Sequence, residues 1–329
     1  MVTMKISVKK YKKSDLQDWN QFITDSNNGT IFHYRDFLNY HIDRTFHDHS
    51  LIFSSKGRII AVFPAAEVID GGNRILYSHP GASFGGFVFQ KLSYKNADDI
   101  INILVEYCQQ NDFNETFFVP TPRIYYRDYC ETFDYALHWN NFNTEEYYIS
   151  STIKTSGSLE DTLKQVQKRK QRYIKNTLSN SDFSFEWNKN YDEYYPILLE
   201  NKSRHGVKPT HTLEELKKLD SLFPDKFHLL MMYYKNKPVG GTLNFVANPK
   251  TAVIFYNMID YKYESFQPAA LQIYETICWA NKSGFDYLDF GVSQNPKAEN
   301  PVSPSPSLIR FKEQFGAKGM IRKAMRKTF

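Results

Sequence analysis

The sequence predicts a mixed α/β protein of two modules with a similar plan, each a mostly antiparallel sheet flanked by helices. First, 329 residues are more than one domain usually holds and suit two. Second, 41% hydrophobic, 16% aromatic and 23% charged residues are typical of a globular chain. Third, one order of elements, a hairpin, further strands, a helix and a closing strand, occurs in each half. We expect the modules to be residues 1–150 and 151–329.

The first half of the sequence shows this order of elements. The predicted elements are strands at 49–53 and 59–65 around a turn at 56–58, strands near Ile75 and Phe87, a helix that Asn96 can cap, and a strand at 116–119. The helix is indicated by apolar residues that recur with helical spacing from Ile100 to Cys108.

The second half repeats this order after a helical region. Ser158 begins a variant of the capping box, which predicts one long helix running beyond Tyr173. The elements predicted after it are helices at 192–204 and 213–222, strands at 227–234, 239–246 and 252–258, a helix starting at Pro268, a strand at 287–290, and an irregular loop at 295–307.

Composition excludes several classes of protein. No apolar run approaches the roughly 18 residues of a membrane helix, so we expect no integral membrane segment. Three scattered cysteines exclude a disulfide scaffold and a thiolate zinc site, and they favour a cytoplasmic location. Four histidines lie close together without a second pair of ligands, so no metal is expected: His33, His41, His47 and His49.

Positive charge is concentrated in two clusters. The net charge, 41 basic minus 36 acidic residues or +5, is too small for a protein that coats nucleic acid. The first cluster, the basic helix, contains Lys168, Arg169, Lys170, Arg172 and Lys175. The second, the basic tail, contains Arg310, Lys312, Lys318, Arg322, Lys323, Arg326 and Lys327. Either an anionic partner such as a phosphate or simple solubility explains each cluster.

Five segments in a fixed order resemble one family. They are Leu163–Asn176 with an arginine-rich helix, Leu198–Gly206, Val239–Gly241, Gly284–Gly291, and Arg310–Gly316. In this order they resemble the FemAB-type transferases, which consist of two tandem GNAT-fold modules. The first module is similar more loosely, through residues 31–37 and the glycine-rich stretch at 80–86.

The resemblance implies the transfer of an acyl or aminoacyl group to an amine of a cell-envelope or polysaccharide precursor. The donor would be aminoacyl-tRNA, as in that family, or acyl-CoA, as in acetyltransferases with the same double fold. The implied partners are a phosphorylated sugar or peptidoglycan-type precursor and tRNA. Two alternatives remain: an acetyl-CoA-dependent N-acetyltransferase acting on a nucleotide sugar or small amine, and a non-catalytic binder of phosphorylated glycans.

Three residues are the catalytic candidates. Acyl transfer to an amine needs a proton acceptor and a group that stabilises the developing negative charge. The resemblance places Lys312 at the reaction centre, where its cation would offset that charge. Asp289 ends a strand beside a glycine and is a candidate to orient the amine or accept its proton. Tyr256 is a candidate proton donor. No activated nucleophile is evident, so we expect direct attack in a ternary complex.

The candidate substrate-binding residues lie in three places. On the basic helix, Arg169, Arg172 and Tyr173 recur at helical spacing, and the family holds the phosphates and sugar of its acceptor with an arginine and a tyrosine there. Phe311 precedes the candidate lysine. Gly85 and Gly86 belong to the one glycine-rich loop, whose turn geometry is an alternative explanation. The stretch 259–267 contains no glycine, which argues against a CoA pyrophosphate site in the second module.

Overall fold

The computed structural model describes residues 5–204 and 206–329, so His205, which belongs to the 198–206 segment, lies outside it. The strands are β1 (Ile6–Lys10), β2 (His47–Asp48), β3 (Leu51–Ser55), β4 (Arg58–Phe63), β5 (Ala66–Asp70), β6 (Asn73–Ser78), β7 (Val88–Phe89), β8 (Glu115–Phe118), β9 (Asn143–Lys154), β10 (Phe183–Asn188), β11 (Phe227–Tyr234), β12 (Lys237–Val246), β13 (Thr251–Ile259), β14 (Tyr287–Val292) and β15 (Lys318–Thr328).

The α-helices are α1 (Leu16–Asp25), α2 (Arg35–Leu38), α3 (Tyr94–Gln110), α4 (Thr132–Trp139), α5 (Leu159–Lys164), α6 (Lys168–Leu178), α7 (Tyr191–Arg204), α8 (Leu213–Leu222), α9 (Pro268–Lys282) and α10 (Pro306–Glu313). Short 3-10 helices occur at Lys13–Asp15, Ile31–His33, Arg123–Tyr125 and Tyr261–Phe266.

The chain divides into two compact units. Unit 1 comprises the residues up to Tyr147 together with Arg322–Phe329, and unit 2 comprises Tyr148–Ile321. The expected second module includes the whole tail, whereas residues 322–329 group with unit 1. They belong to unit 1 because the end of β15 pairs antiparallel with β8, with Met325 opposite Phe118.

Unit 1 is built around α3. Ser93 caps this helix by accepting a hydrogen bond from the backbone N–H of Asn96, so the helix begins at Tyr94, before the predicted Asn96 cap. Its apolar face packs against strands β3, β4 and β8 in one buried core. β1, β3, β4 and β7 are neighbours in one antiparallel sheet, and β5 pairs antiparallel with β6, which runs parallel to β8.

Unit 2 contains a sheet in which two neighbouring strands separate. The strand order is β10-β11-β12-β13-β14-β9, and only β13 and β14 run parallel. Their pairing stops at Val253 and Asp289, although β13 continues to Ile259 and β14 to Val292. Beyond these residues the two strands are not paired with each other. α9 packs on β12 and β13 and has Pro268 in its first turn, as predicted.

The predicted long helix from Ser158 is wrong, because the structure breaks it into α5 and α6. At the break, the backbone N–H of Gln167 donates to the carbonyl of Gln314 at 2.9 Å. Gly316 lies close to Gln165 at the same break: a Cβ added to Gly316 would be 2.5 Å from the Cβ of Gln165. The end of α10 therefore fixes the beginning of α6.

Part of the basic tail is paired within unit 1. Arg326 forms salt bridges with Glu115 and Glu145, and Lys323 bonds to Asp134 at 2.8 Å. This part of the tail is thus a charged strand satisfied by the protein itself. Among the described residues, each helix is too short or too polar to span a lipid bilayer.

Candidate active site

Lys312 is a buried cation at the point where β13 and β14 separate. Its side chain is only 5% exposed. The ammonium donates to the carbonyl of Gly291 at 2.7 Å and to that of Val292 at 3.0 Å. An ammonium has three hydrogens. Among the described residues no acceptor is found for the third.

The environment of Lys312 lowers its pKa. Burial lowers the pKa of Lys312 from 10.5 to about 8, and the negative charge of Asp289 opposes this shift. The group is therefore still mainly protonated at neutral pH. Lys312 and Asp289 both bond to Gly291, Lys312 to its carbonyl and Asp289 to its N–H.

Asp289 occupies the last paired position before the strands separate, opposite Val253. The carboxylate is 3% exposed, and its Oδ1 accepts hydrogen bonds from Ser150 Oγ and the Gly291 N–H, both at 2.7 Å. These two donors fix the orientation of the carboxylate. Gly291 has φ = 71°, a left-handed conformation that suits glycine and turns the backbone so that its carbonyl meets Lys312.

Tyr256 lies on β13 beyond the point where pairing with β14 ends, in a separate hydrogen-bonded group. Its hydroxyl accepts from the Thr210 N–H at 3.1 Å and lies 3.0 Å from Nδ1 of His211. Burial raises the pKa of Tyr256 to about 12, so the phenol is neutral at physiological pH. The ammonium of Lys202 lies 5.2 Å from the centre of the Tyr256 ring.

A cavity of about 300 Å³ lies where three helix ends of unit 2 meet. Arg169 and Lys170 come from the first turn of α6, Gln267 precedes α9, and Gln314 follows α10. The remaining lining residues are Gln167 and Tyr173. Lys170 donates to Oε1 of Gln267 at 2.9 Å, which ties α6 to the beginning of α9.

The charges around this cavity favour an anion. Cations in the first turn of a helix oppose the positive end of the helix dipole, and the first turn of α6 has no acidic residue. Among the described residues, no salt bridge involves Lys168, Arg169, Lys170, Arg172 or Lys175. The positive end of α9 adds to the same field. The basic helix therefore differs from Lys323 and Arg326 of the basic tail, which form salt bridges.

The backbone before α9 is already hydrogen-bonded. In the glycine-free stretch, the N–H of Asp260 donates to Val239, that of Lys262 to the side chain of Asp260, and that of Gln267 to Glu264. These amides are engaged within the protein. An anion in the cavity would therefore be held by side chains rather than by the amide cradle that suits a pyrophosphate.

Two of the other predicted substrate residues lie outside this lining. Arg172 is exposed and does not line the cavity, although Arg169 and Tyr173 do. Phe311 packs edge-on against Phe315, with ring centres 5.4 Å apart, and helps anchor α10 to the core of unit 2.

Gly85 and Gly86 are buried in unit 1, where close packing explains both glycines. A Cβ at Gly85 would lie 2.1 Å from the carbonyl oxygen of Ser78, and one at Gly86 would lie 2.7 Å from the ring of Phe118. The N–H of Gly86 donates to Ser78 Oγ at 2.7 Å. These contacts require small residues independently of any ligand.

Gly85→Ala should lower the free energy of unfolding by about 3 kcal/mol, because the new methyl group collides with backbone. A matched control is Gly57→Ala, which has no atom within 4 Å of the added Cβ but a φ of 74°. It should cost only about 1 kcal/mol. Urea denaturation measures both, and equal losses would contradict the packing explanation.

Sequence reasoning missed several residues of these sites. Ser150 orients Asp289 from a strand 139 positions away in sequence, so no local signal marks it. His211 is buried beside Tyr256, but in the sequence it is only a histidine before a helix cap. Lys170 belongs to the basic helix, and the break before α6, rather than helical spacing, brings it to the cavity.

Comparison with known proteins agrees with this geometry. Residues 161–299 match the family model described as an acetyltransferase (GNAT) domain. The predicted enzyme class, a GNAT-type N-acyltransferase, is confirmed. No curated protein is similar enough in sequence to match the chain.

Solved structures extend the likeness to the whole chain. FemX aligns with a TM-score of 0.73 at 11% identity, covering 98% of this chain and 97% of FemX. L-PGS from Bacillus licheniformis aligns with a TM-score of 0.61 at 13% identity, covering 94% and 90%. A tandem GNAT protein of the clavulanic acid biosynthesis pathway aligns with a TM-score of 0.56 at 7% identity, covering 98% of each. At these identities the likeness concerns fold, and it confirms the predicted tandem GNAT fold.

Proposed function

We propose that unit 2 transfers an aminoacyl group from aminoacyl-tRNA to an amine of a phosphorylated cell-envelope precursor. The observation that carries this proposal is the buried Lys312, held beside Asp289 where β13 and β14 separate. A buried cation costs free energy, and within the described part of the chain its hydrogen-bond acceptors are two backbone carbonyls. That cost is understandable if the cation stabilises the negative charge that develops as the acyl ester is attacked.

The other candidate residues would have the following roles. Asp289, oriented by Ser150 and Gly291, would hold the attacking amine and accept its proton. Tyr256 would donate a proton to the departing oxygen, its hydroxyl being positioned by Thr210 and His211. The attack would be direct, so one bond forms between amine and acyl carbon while the ester bond to the donor breaks.

The cavity between α6, α9 and α10 would hold phosphate groups of a substrate. Arg169 offers a bidentate guanidinium, Lys170 a point charge, and Tyr173 a ring and a hydroxyl. Because the amides before α9 are engaged, side-chain contacts to a phosphodiester fit this cavity better than amide contacts to a CoA pyrophosphate. This favours aminoacyl-tRNA as the donor.

A direct test supplies both kinds of donor in parallel. The protein would be incubated with bulk tRNA carrying radiolabelled amino acids, or with radiolabelled acetyl-CoA, and with nucleotide-linked envelope precursors that contain a free amine. We expect base-stable amide label on the precursor only with charged tRNA. Label from acetyl-CoA alone would contradict the donor assignment, and no label from either would contradict the function.

The acetyl-CoA alternative has one observation in its favour. The cavity lies at the N-terminal end of α9, where the helix dipole attracts a pyrophosphate even without glycine. Isothermal titration with CoA alone separates the two proposals, because micromolar binding would favour acetyl transfer.

The rate of transfer should fall as pH rises through about 8, because Lys312 then loses the charge that the reaction needs. The parent should show this falling limb in kcat, and Lys312→Met should lack it.

The folded-state pKa of Lys312 lies below the ordinary 10.5, so the cost of burying the charge is complete below pH 8 and disappears as pH rises to 10.5. Stability of the parent relative to the variant should therefore rise across that window; a flat difference would mean that the lysine is not desolvated.

A further inference from the structure

Lys202, in the last turn of α7, places a half-buried positive charge beside Tyr256. Its ammonium lies 5.2 Å from the centre of the Tyr256 ring. An aromatic ring attracts a cation through its face but is not a conventional hydrogen-bond acceptor. Within the described part of the chain, the ammonium has neither a hydrogen-bond acceptor nor a salt-bridge partner. The charge is therefore partly removed from water without an anion to balance it.

The end of α7 is fixed against β13, and this fixes the base of the Lys202 side chain. Asn201, the preceding residue, is only 5% exposed. Its side chain donates to the carbonyl of Ile259 and accepts from the N–H of the same residue at 3.3 Å. Because Ile259 and Tyr256 lie on one strand, these two bonds hold the end of α7 next to Tyr256.

The charges on α7 do not account for this cation. Burial lowers the pKa of Lys202, and within the described residues no charged group contributes to or opposes that shift. The negative end of a helix dipole favours cations in the last turn, and the exposed Arg204 already satisfies this preference there. Arg204 also has a carboxylate partner, Glu200, at 3.8 Å. A half-buried cation without such a partner is suited to bind an anionic group of a ligand.

The position of Lys202 favours the donor over the acceptor. In the proposed reaction the amine of the acceptor is held by Asp289, which pairs with Val253 on β13. Tyr256, the proton donor to the departing oxygen, is farther along the same strand and belongs to a separate hydrogen-bonded group. The cation lies at Tyr256, so an anion bound to it would be close to the departing oxygen and would belong to the same substrate.

The two possible donors differ in where their nearest anion lies. In an aminoacyl-tRNA the departing oxygen is a ribose hydroxyl of the terminal adenosine, and a phosphate is attached to the 5′ carbon of the same ribose. In acetyl-CoA the departing atom is sulfur, and the whole pantetheine arm separates it from the pyrophosphate. A cation next to the proton donor can therefore contact a phosphate in the ribose ester but not in the thioester.

We propose that Lys202 binds the 5′-phosphate of the terminal adenosine and thereby selects a ribose ester as the acyl donor. This inference rests on the proposed function and assigns a donor-binding residue to it. The phosphate would complete the hydrogen bonds of the ammonium and balance its charge. It would also place the departing oxygen next to the hydroxyl of Tyr256.

Two small ligands that differ by one phosphate test the inference. They are adenosine and its 5′-(methyl phosphate), which carries the single negative charge of a phosphodiester; each is titrated against the full chain by ligand-observed NMR. In the parent the phosphate should increase affinity about tenfold, the usual effect of a charge-assisted hydrogen bond. In Lys202→Met this gain should fall to about twofold or less, and Lys202→Arg should retain most of it.

Two further variants control for positive charge elsewhere in unit 2. Lys208→Met removes an exposed lysine just after α7 and should leave the gain from the phosphate unchanged. Arg169→Ala removes a cation of the cavity between α6, α9 and α10 and should leave it unchanged as well. Thermal unfolding establishes that each variant is folded before its affinities are compared.

The inference is wrong if the parent binds the two ligands equally or does not bind the methyl phosphate at about 10 mM. It is also wrong if Lys202→Met keeps the gain from the phosphate, or if Arg169→Ala loses it, which would assign the phosphate to the cavity. Transfer from charged tRNA is measured separately. A parent that transfers from charged tRNA but binds both ligands equally refutes the role of Lys202 alone, whereas transfer from acetyl-CoA alone refutes the proposed function.

Discussion

Lys312→Met should lower kcat by about two to three orders of magnitude and change substrate affinity by less than about threefold. The methionine fills a similar volume without the charge, so it removes an interaction that is strongest in the transition state. Single-turnover kinetics with charged tRNA, alongside equilibrium binding of each substrate, separates the two quantities. A parallel loss of rate and affinity would mean that the lysine simply binds substrate.

Folding controls are available for this variant. Removing the buried ammonium relieves a desolvation cost but leaves the carbonyls of Gly291 and Val292 without their donor, so we expect stability to change little. Lys318→Met is the matched control, because Lys318 is an exposed lysine near the same end of the chain. It should retain the activity of the parent, and a loss there would implicate the charge of the tail in general.

Arg169→Ala should weaken binding of the phosphate-bearing substrate by about tenfold or more, the usual effect of losing a charge-assisted hydrogen bond. Arg172→Ala should change it by less than about twofold, because Arg172 is exposed and does not line the cavity. The two variants remove the same charge from the same helix, so each controls for the other. Filter binding of charged tRNA, and calorimetry with the precursor, identify which substrate is affected.

Salt gives a second readout of the same prediction. Binding by the parent should weaken as ionic strength rises, and Arg169→Ala should have a shallower salt dependence than Arg172→Ala. The double variant should resemble Arg169→Ala alone. If both single variants bind as well as the parent at low salt, the basic helix is only a solvated face and the cavity holds no phosphate.

Much of unit 2 could be predicted because its signals are local. The hairpin between β11 and β12 turns at Lys235 and Asn236, which have φ values of 49° and 61°. α8 is as predicted, and Thr212 and Glu215 complete its capping box. These signals act within a few residues, so tertiary contacts need not be known.

The errors arise where distant segments decide the structure. The break between α5 and α6 depends on Gln314 and Gly316, which are about 150 positions away, and local helix signals continue through it. β15 is a strand because β8 supplies its hydrogen bonds. By itself, a run of lysines and arginines does not predict a β-strand.

The candidate site was only partly accessible to the same reasoning. The family resemblance indicates Lys312, and a strand end beside a glycine indicates Asp289, but their shared contact with Gly291 depends on how α10 packs against β14. The sequence does not predict that Arg169 lines the cavity and that Arg172 does not, because this depends on which face of α6 meets α9. The break before Lys168 sets that rotation.

The pairing of β15 with β8 has a consequence for how the chain acquires its structure during synthesis. Residues 115–118 form hydrogen bonds with residues 325–328, so unit 1 cannot complete its sheet until residues 325–328 have left the ribosome. Unit 2 has all of its residues between 148 and 321 and can fold sooner. The usual order, in which the N-terminal domain folds first, is therefore reversed for the completed units. A fragment ending at residue 150 would expose the open edge of β8, and such edges promote aggregation.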